Sequence, residues 1–308
     1  MTSTQKIGNA TARISRRLQR RRMNEQRRTV SFYIGAAILI GFVSVAAVSR
    51  VWTPYPPDDT LTGPVFSAPG SDHPFGTDRV GADILSRTMY AITMDVGITL
   101  AVVAVALVIG AAWGAIAGFY GGWFDALTKR ILEVVNAFPA LLLALLVIAV
   151  AGPGIVNVIL VVAILPLPEY VRIARAEVRT KRTWQFAEAA RMVGRHPTGV
   201  LFIHIVPNSL KPLLTFATIN ASWVAATVGA LGFLGLGIEP GAAEWGAMIA
   251  RGQDAILDGK WWISFFPGVA MFLLACAFQL LSDGFNEKLV PRSEFGSRIY
   301  VALKGGKQ

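Results

Sequence analysis

The sequence predicts an all-α integral membrane protein with six transmembrane helices, and two observations carry that reading. Of 308 residues, 54% are hydrophobic and only 16% charged, with a mean hydropathy of +0.52, far more apolar than a soluble core requires. The apolar residues also fall into six runs, at 30–49, 96–118, 134–151, 154–168, 212–237 and 261–282, none of which contains Asp, Glu, Lys, Arg or His. A bilayer core is about 30 Å thick and takes roughly 20 helical residues to cross. Runs of this length exclude the alternating strands of a barrel, whereas helices satisfy their own backbone groups in lipid.

Residues 1–29 form a basic tail ahead of a transmembrane domain spanning 30–292. The first run is too long for a signal-peptide core and five more follow it, so the chain stays in the membrane. The second run carries Gly110, Gly114 and Gly118 on one helix face, where backbones can approach closely. A helix of the same chain and a partner subunit are equally open as the neighbour. The fourth run holds Pro166 and Pro168, which predicts a kinked helix continuing toward Arg172. In the fifth run, Gly229, Gly232, Gly235 and Gly237 predict either a bent helix end or close packing. Residues 293–308 form a second tail.

Charge sets the orientation. Of 29 Lys and Arg, 24 lie in the first tail, the second connection, the stretch from Arg172 to Lys211 and the region after Ser282. The positive-inside rule therefore puts both termini in the cytoplasm and residues 50–93 outside. The Arg-rich tail reads as an orientation signal that also suits anionic lipid, not as a nucleic-acid arm, because no nucleic-acid motif accompanies it. Trp52, Trp261, Trp262 and Tyr170 fall at span ends, as interfacial anchors do. Cys276 is the single cysteine, which leaves no intrachain disulfide and a small apolar side chain within a helix.

The polar residues assemble no catalytic set. His73, His196 and His204 lie on opposite sides of the membrane, so no metal site is expected. Asp78 is positioned to cap a helix starting near Gly81. Glu239, Glu244, Asp254 and Asp258 give the last outer connection an acidic character that fits a docking face or a solvated loop. Asn136, Asn157, Asn220 and Gln279 either line a polar path or hydrogen-bond between helices. No paired carboxylate can be placed at a common depth.

The inner connection, 169–211, is too polar to cross the bilayer and predicts helices at the cytoplasmic surface. Gly194 suits a left-handed corner that closes one helix, and Pro197 suits the first turn of the next while holding His196 extended. The short helix between them, with Glu188 beside Ala189 and Ala190, offers a close-approach surface with one negative charge. A docking surface and a plain solvated loop both fit that spacing.

Glu188-Ala189-Ala190, then Gly194, then His204-Ile205-Val206-Pro207-Asn208 resemble the coupling loop of ABC importer permeases, with Val206-Pro207 where a Leu-Pro pair is usual. His73-Pro-Phe-Gly-Thr-Asp78 with Asp83-Ile-Leu-Ser-Arg87, and Phe233-Leu-Gly-Leu-Gly237 with Glu244-Trp-Gly-Ala-Met248, resemble the C-type permease of dipeptide, oligopeptide and nickel importers. The likeness spans about residues 30–292 and departs at Ala230 to Gly232 and at Asn286-Glu-Lys-Leu-Val-Pro291.

The resemblance implies the type I permease fold and a bacterial cytoplasmic-membrane complex. This subunit would join a homologous second permease, two ATPase subunits or domains and an external substrate-binding protein. Peptide would cross by alternating access, with Glu188, Ala189, Ala190 and Gly194 coupling to the ATPases. ATP and Mg would be bound by the partners, since this chain has no Gly-x-x-x-x-Gly-Lys-[Ser/Thr] loop; it is expected to hold no cofactor and to be no enzyme itself. The rival readings are an importer of nickel complexes or another small solute, a secondary transporter or channel acting alone, and a membrane assembly protein. The uncharged spans weigh against an ion-coupled carrier.

Overall fold

The computed structural model describes residues 29–238 and 241–289, with side chains through Asp283. The basic tail before Thr29 and the residues after Leu289 lie outside the described residues, as does Glu239. Among the described residues the regular structure is helical, apart from one isolated bridge between Thr77 and Asp83. The helices are α1 (Thr29–Ser49), α2 (Ile84–Tyr120), α3 (Gly122–Asn136), α4 (Ala140–Ala151) and α5 (Ile155–Ile164). They continue as α6 (Leu167–Lys181), α7 (Gln185–Met192), α8 (Pro197–Phe233), α9 (Trp245–Ile256) and α10 (Trp262–Leu289).

Helices α1, α2, α8 and α10 are each long and apolar enough to cross a bilayer. The bent pairs α3–α4 and α5–α6 bring the spans to six when each pair counts as one. The kink expected in the fourth span is present, a 48° bend between α5 and α6 at Leu165 and Pro166. The third span differs from expectation. Its apolar run continues through Asn136, yet the chain turns by 88° there, because Pro139 supplies no N–H and forces Phe138 out of the helical region. Only α4, 12 residues long, remains apolar, covering about 18 Å.

The glycine stripe of α2 packs within the chain. A Cβ on Gly110 would collide with Tyr170, one on Gly114 with the Val171 carbonyl and Ala174, and one on Gly118 with the Arg175 backbone. Helix α6 therefore lies directly on the inner part of α2, and residues 169–175 run beside the second span. Tyr170 is consequently a core residue and not an interfacial anchor: it is fully buried, and its hydroxyl pairs with Asn220 at 3.2 Å. Asn220 thus bonds across helices, whereas Asn157 donates to the carbonyls of Ala151 and Gly152 at 3.0 Å and closes the α4–α5 turn. A second close approach seats Gly35 of α1 on the backbone of Ala277 and Leu281 in α10.

Residues 50–83 fold over the start of α2. The cap of that helix is Asp83, not Asp78. One Asp83 oxygen accepts from Ser86 N at 2.8 Å and Ser86 Oγ at 2.7 Å, and the other meets His73 Nδ1 at 2.9 Å. Asp78 instead holds the turn before it, accepting from Val80 N and Ala82 N. Trp52 and Trp261 are exposed, whereas Trp262, expected to be an interfacial anchor like them, is 8% exposed and donates to the Thr77 carbonyl at 3.3 Å. It pins the outer loop to α10.

Gly110→Leu should drive α2 and α6 apart and cost about 1–3 kcal/mol, the range for overpacking. Gly97→Leu, on the same helix but with no atom within 4 Å of where its Cβ would stand, should leave stability unchanged. Thermal midpoints of the purified chain in mild detergent decide it: equal midpoints for the two variants would refute close packing at Gly110.

Candidate functional site

Two elements that the sequence motifs single out acquire a geometry here, one at each end of the bundle. At one end α7 rests in a notch between the end of α2, α6 and the first turns of α8. Its buried face is Ala187, with Phe186 and Ala190 partly buried, against Ala115, Phe119, Val178, Val200, Leu201 and Ile205. The Arg191 guanidinium lies 5.6 Å from the Phe119 ring centroid. The helix closes as the glycine predicts. Gly194 has φ +78°, its N–H donates to Arg191 O at 2.9 Å, and Arg195 N donates to Ala190 O at 3.2 Å, the paired bonds of a Schellman cap. His196 is extended at ψ 141°, and Pro197 opens α8.

The four residues expected at this site do not share one surface. Glu188 and Ala189 are exposed, Gly194 forms the corner, and Ala190 faces the chain's own core. The sequence reading missed Met192 and Val193, both 88% exposed, which extend the outward face of α7 past Ala189. Their signal was present: two large apolar residues just before a left-handed glycine in an otherwise polar stretch. The outward surface is thus apolar and small at its centre, with the Glu188 carboxylate at one edge.

The footing of α7 depends on two prolines in α8. Pro207 cannot donate to the Ile203 carbonyl. The helix widens there into a π turn over Val200–Ile205, in which Val206 N reaches back to Leu201 O, a local device typical of such turns. Pro212 likewise leaves Asn208 O without a helical donor. Lys181 at the end of α6 supplies one at 2.6 Å and also pairs with Glu177 at 2.7 Å. The Asn208 side chain donates to His204 O at 2.7 Å. On the other flank, Arg182 donates to Phe119 O at 3.1 Å, capping the carbonyl end of α2, and Arg175 pairs with Asp125 of α3.

At the opposite end, the structure brings the other two motifs together. Arg87, in the first turn of α2, donates to Pro57 O at 3.1 Å and to Gly241 O at 2.6 Å. Trp245 is fully buried, with Nε1 donating to Thr88 O at 3.1 Å and its backbone N to Asp95 at 3.3 Å. Glu244 caps α9, accepting from Gly246 N at 2.7 Å and Ala247 N at 2.8 Å. Gly232 makes room for that carboxyl, and Gly246 allows contact with the Gly229 backbone.

Glu244 is therefore a buried cap and no part of a solvated or docking loop. Its carboxyl meets that of Asp95, so a carboxylate pair does share one depth. Burial raises Glu244 above the ordinary carboxylate range, opposed by the two amide donors. Asp95 also corrects the expectation of uncharged spans: α2 begins about three turns before its apolar run and carries Arg87 and Asp95, both buried. Among the described residues no cluster of His, Cys, Asp or Glu could hold a metal ion.

Comparison with known proteins finds that residues 110–294 match the family described as the binding-protein-dependent transport system inner membrane component. A putative peptide transport system permease of Brucella suis is 37% identical over 279 residues, 90% of either chain. The dipeptide transport system permease DppC of Alkalihalophilus pseudofirmus is 33% identical over 259 residues, covering 84% of this chain and 85% of the relative. A glutathione transport system permease of Escherichia coli is 33% identical over 260 residues, 83% of this chain and 85% of the relative.

At Gly194 no atom lies within 4 Å of a Cβ position, so only the positive φ demands glycine. Gly194→Val should destabilise the α7 corner by about 1 kcal/mol or more, while Gly194→Asn, which tolerates that conformation, should lose much less. Protease nicking at Arg191 and Arg195 reads the difference. Equal protection of the two variants would show that the corner carries no strain.

Proposed function

The chain belongs to the family of binding-protein-dependent transport system inner membrane components, the permease subunits of ABC importers, and on that premise we propose that it carries di- or oligopeptides. The observation that supports an ATPase-coupled permease most directly is α7: a short helix packed on the chain by one face, with Glu188, Ala189, Met192 and Val193 left outward and Gly194 turning the corner. Such a surface suits a groove on an ATPase. The peptide and glutathione systems named among the relatives favour a peptide-like solute.

In this reading the subunit pairs with a homologous permease, two ATPases bind and hydrolyse ATP with Mg, and an external binding protein delivers the solute. This chain is non-catalytic and holds no cofactor. Closure of the ATPases moves α7, and α6 and α8 pass that movement to the spans. The concentration of Lys and Arg supports cytoplasmic termini, with residues 50–93 and α9 outside. Family membership, more than the composition of the spans, argues against a carrier acting alone.

The topology is tested with cysteines at two exposed positions, Ser71 and Thr198, in a Cys276→Ala background. An impermeant reagent applied to intact cells should label Ser71→Cys and spare Thr198→Cys, and the reverse pattern would overturn the orientation.

Coupling is tested on the purified complex with binding protein and peptide. Ala189→Trp adds bulk to the exposed face, and Glu188→Lys reverses its one charge; a partly buried ion pair broken this way can lose a few kcal/mol. Both variants should assemble poorly or lose substrate-stimulated ATP hydrolysis while the chain's own melting point stays unchanged. Ala190→Trp, in contrast, should lower the melting point too, since Ala190 packs inward. Full stimulation in Ala189→Trp and Glu188→Lys would remove α7 from the coupling path.

A further inference from the structure

We infer that the face of α6 carrying Glu169 and Arg172, with Asn136 at the α3–α4 break, forms a hydrated wall of the solute route in the inner part of the membrane. The ion pair on that wall receives the charged termini of a zwitterionic peptide. The second statement rests on the peptide reading proposed above; the first does not.

The depth of this face is counted along two helical paths from one level. The outer ends of the helices are tied together. Gly154 N donates to Gly237 O beside the start of α5, the Glu244 carboxyl lies against Gly232 near the end of α8, and Trp245 bonds Asp95 on α2. From that level, α2 descends about fourteen residues, roughly 21 Å, to Gly110, which packs on Tyr170. Helices α5 and α6 descend by a similar count from Ile155 to Glu169. Both counts put Glu169 within the thickness of a hydrocarbon core, about 30 Å.

At that depth the side chains of Glu169 and Arg172 are 45% and 55% exposed, joined by an Arg172 Nη1 to Glu169 Oε1 bond of 2.6 Å. Ionisable groups at membrane depth do not face lipid; they face a bundle interior or a water-filled cavity. The break at Pro139 supplies that cavity. Because α4 stops at Ala140 and α3 turns away by 88°, a cleft of about 200 Å³ opens, lined by Asn136, Leu143, Leu165, Glu169 and Arg172 among others. Its polar lining comes from α6 and the end of α3, and its apolar lining includes Leu143 and Leu165.

The chemistry of the polar lining is zwitterionic. An exposed pair holds itself together weakly, so a solute carboxylate can take the planar fork of Arg172 while Glu169 turns to an ammonium group. The free ammonium at one end of a short peptide and the free carboxylate at the other match these two groups.

The experiment uses the complete complex in a Cys276→Ala background. Glu169→Cys and Arg172→Cys should react with a charged, water-soluble thiol reagent in at least one nucleotide state, while Leu160→Cys, on the exposed apolar face of α5, should not. Arg172→Gln should reduce uptake of a peptide with a free carboxylate by about tenfold more than uptake of its C-terminal amide, the size expected when one charge-assisted contact is lost. Arg172→Lys should restore part of the discrimination. A complex that carries peptide while positions 169 and 172 stay unlabelled in every state would overturn the wall. Labelling with equal loss for both peptides would overturn the zwitterion contact. A complex that carries no peptide would refute the peptide reading whatever the labelling shows.

Discussion

The close approach of α6 to α2 is the contact on which the rest of the architecture depends. Three glycines one turn apart remove every side chain from the α2 face, and the backbone of α6 from Tyr170 to Arg175 fills the space. In lipid this contact gains nothing from expelling water, so it rests on dispersion and on backbone proximity. Its effects run in both directions along α6. Upward it buries Tyr170 against Asn220 and leaves Glu169 and Arg172 turned outward; downward it brings Arg175 to Asp125 and Arg182 to the end of α2, which builds the notch for α7.

Much of this was legible in the residues, for definite reasons. Gly194 and Pro197 act through their own backbones, so their corner could be read without any neighbour. The six apolar runs reported span number because lipid demands long helices. The 88° turn at Pro139 was hidden because hydropathy is blind to a break inside an apolar run. Asp95 and Glu244 stand far apart in the chain, and nothing local tells that they meet. Trp262 reads as an interfacial ring until the outer loop is seen to cross it. The π turn in α8 had a visible cause in Pro207, but the sequence does not say which neighbouring carbonyls find other donors.

The two halves of the molecule use polar residues differently. In the layer formed by residues 50–83 and α9, three buried charged groups act as fasteners: Asp83 joins His73 to the start of α2, Arg87 joins residues 57 and 241, and Glu244 holds α9. All are spent on internal bonds. The inner layer leaves Glu188 and the pair Glu169–Arg172 exposed, on surfaces that the chain does not cover itself.

The bond from Lys181 to the Asn208 carbonyl has a mechanical consequence. It fastens the last turn of α6 to α8 at the level where α7 is slung between them, so the segment from Arg182 to His196 behaves as a stirrup with both straps fixed. A load on α7 enters two long members together. One of them, α8, runs as a single helix to Phe233; the other meets α5 at a 48° elbow. The two members that hold α7 therefore meet the rest of the bundle along different directions.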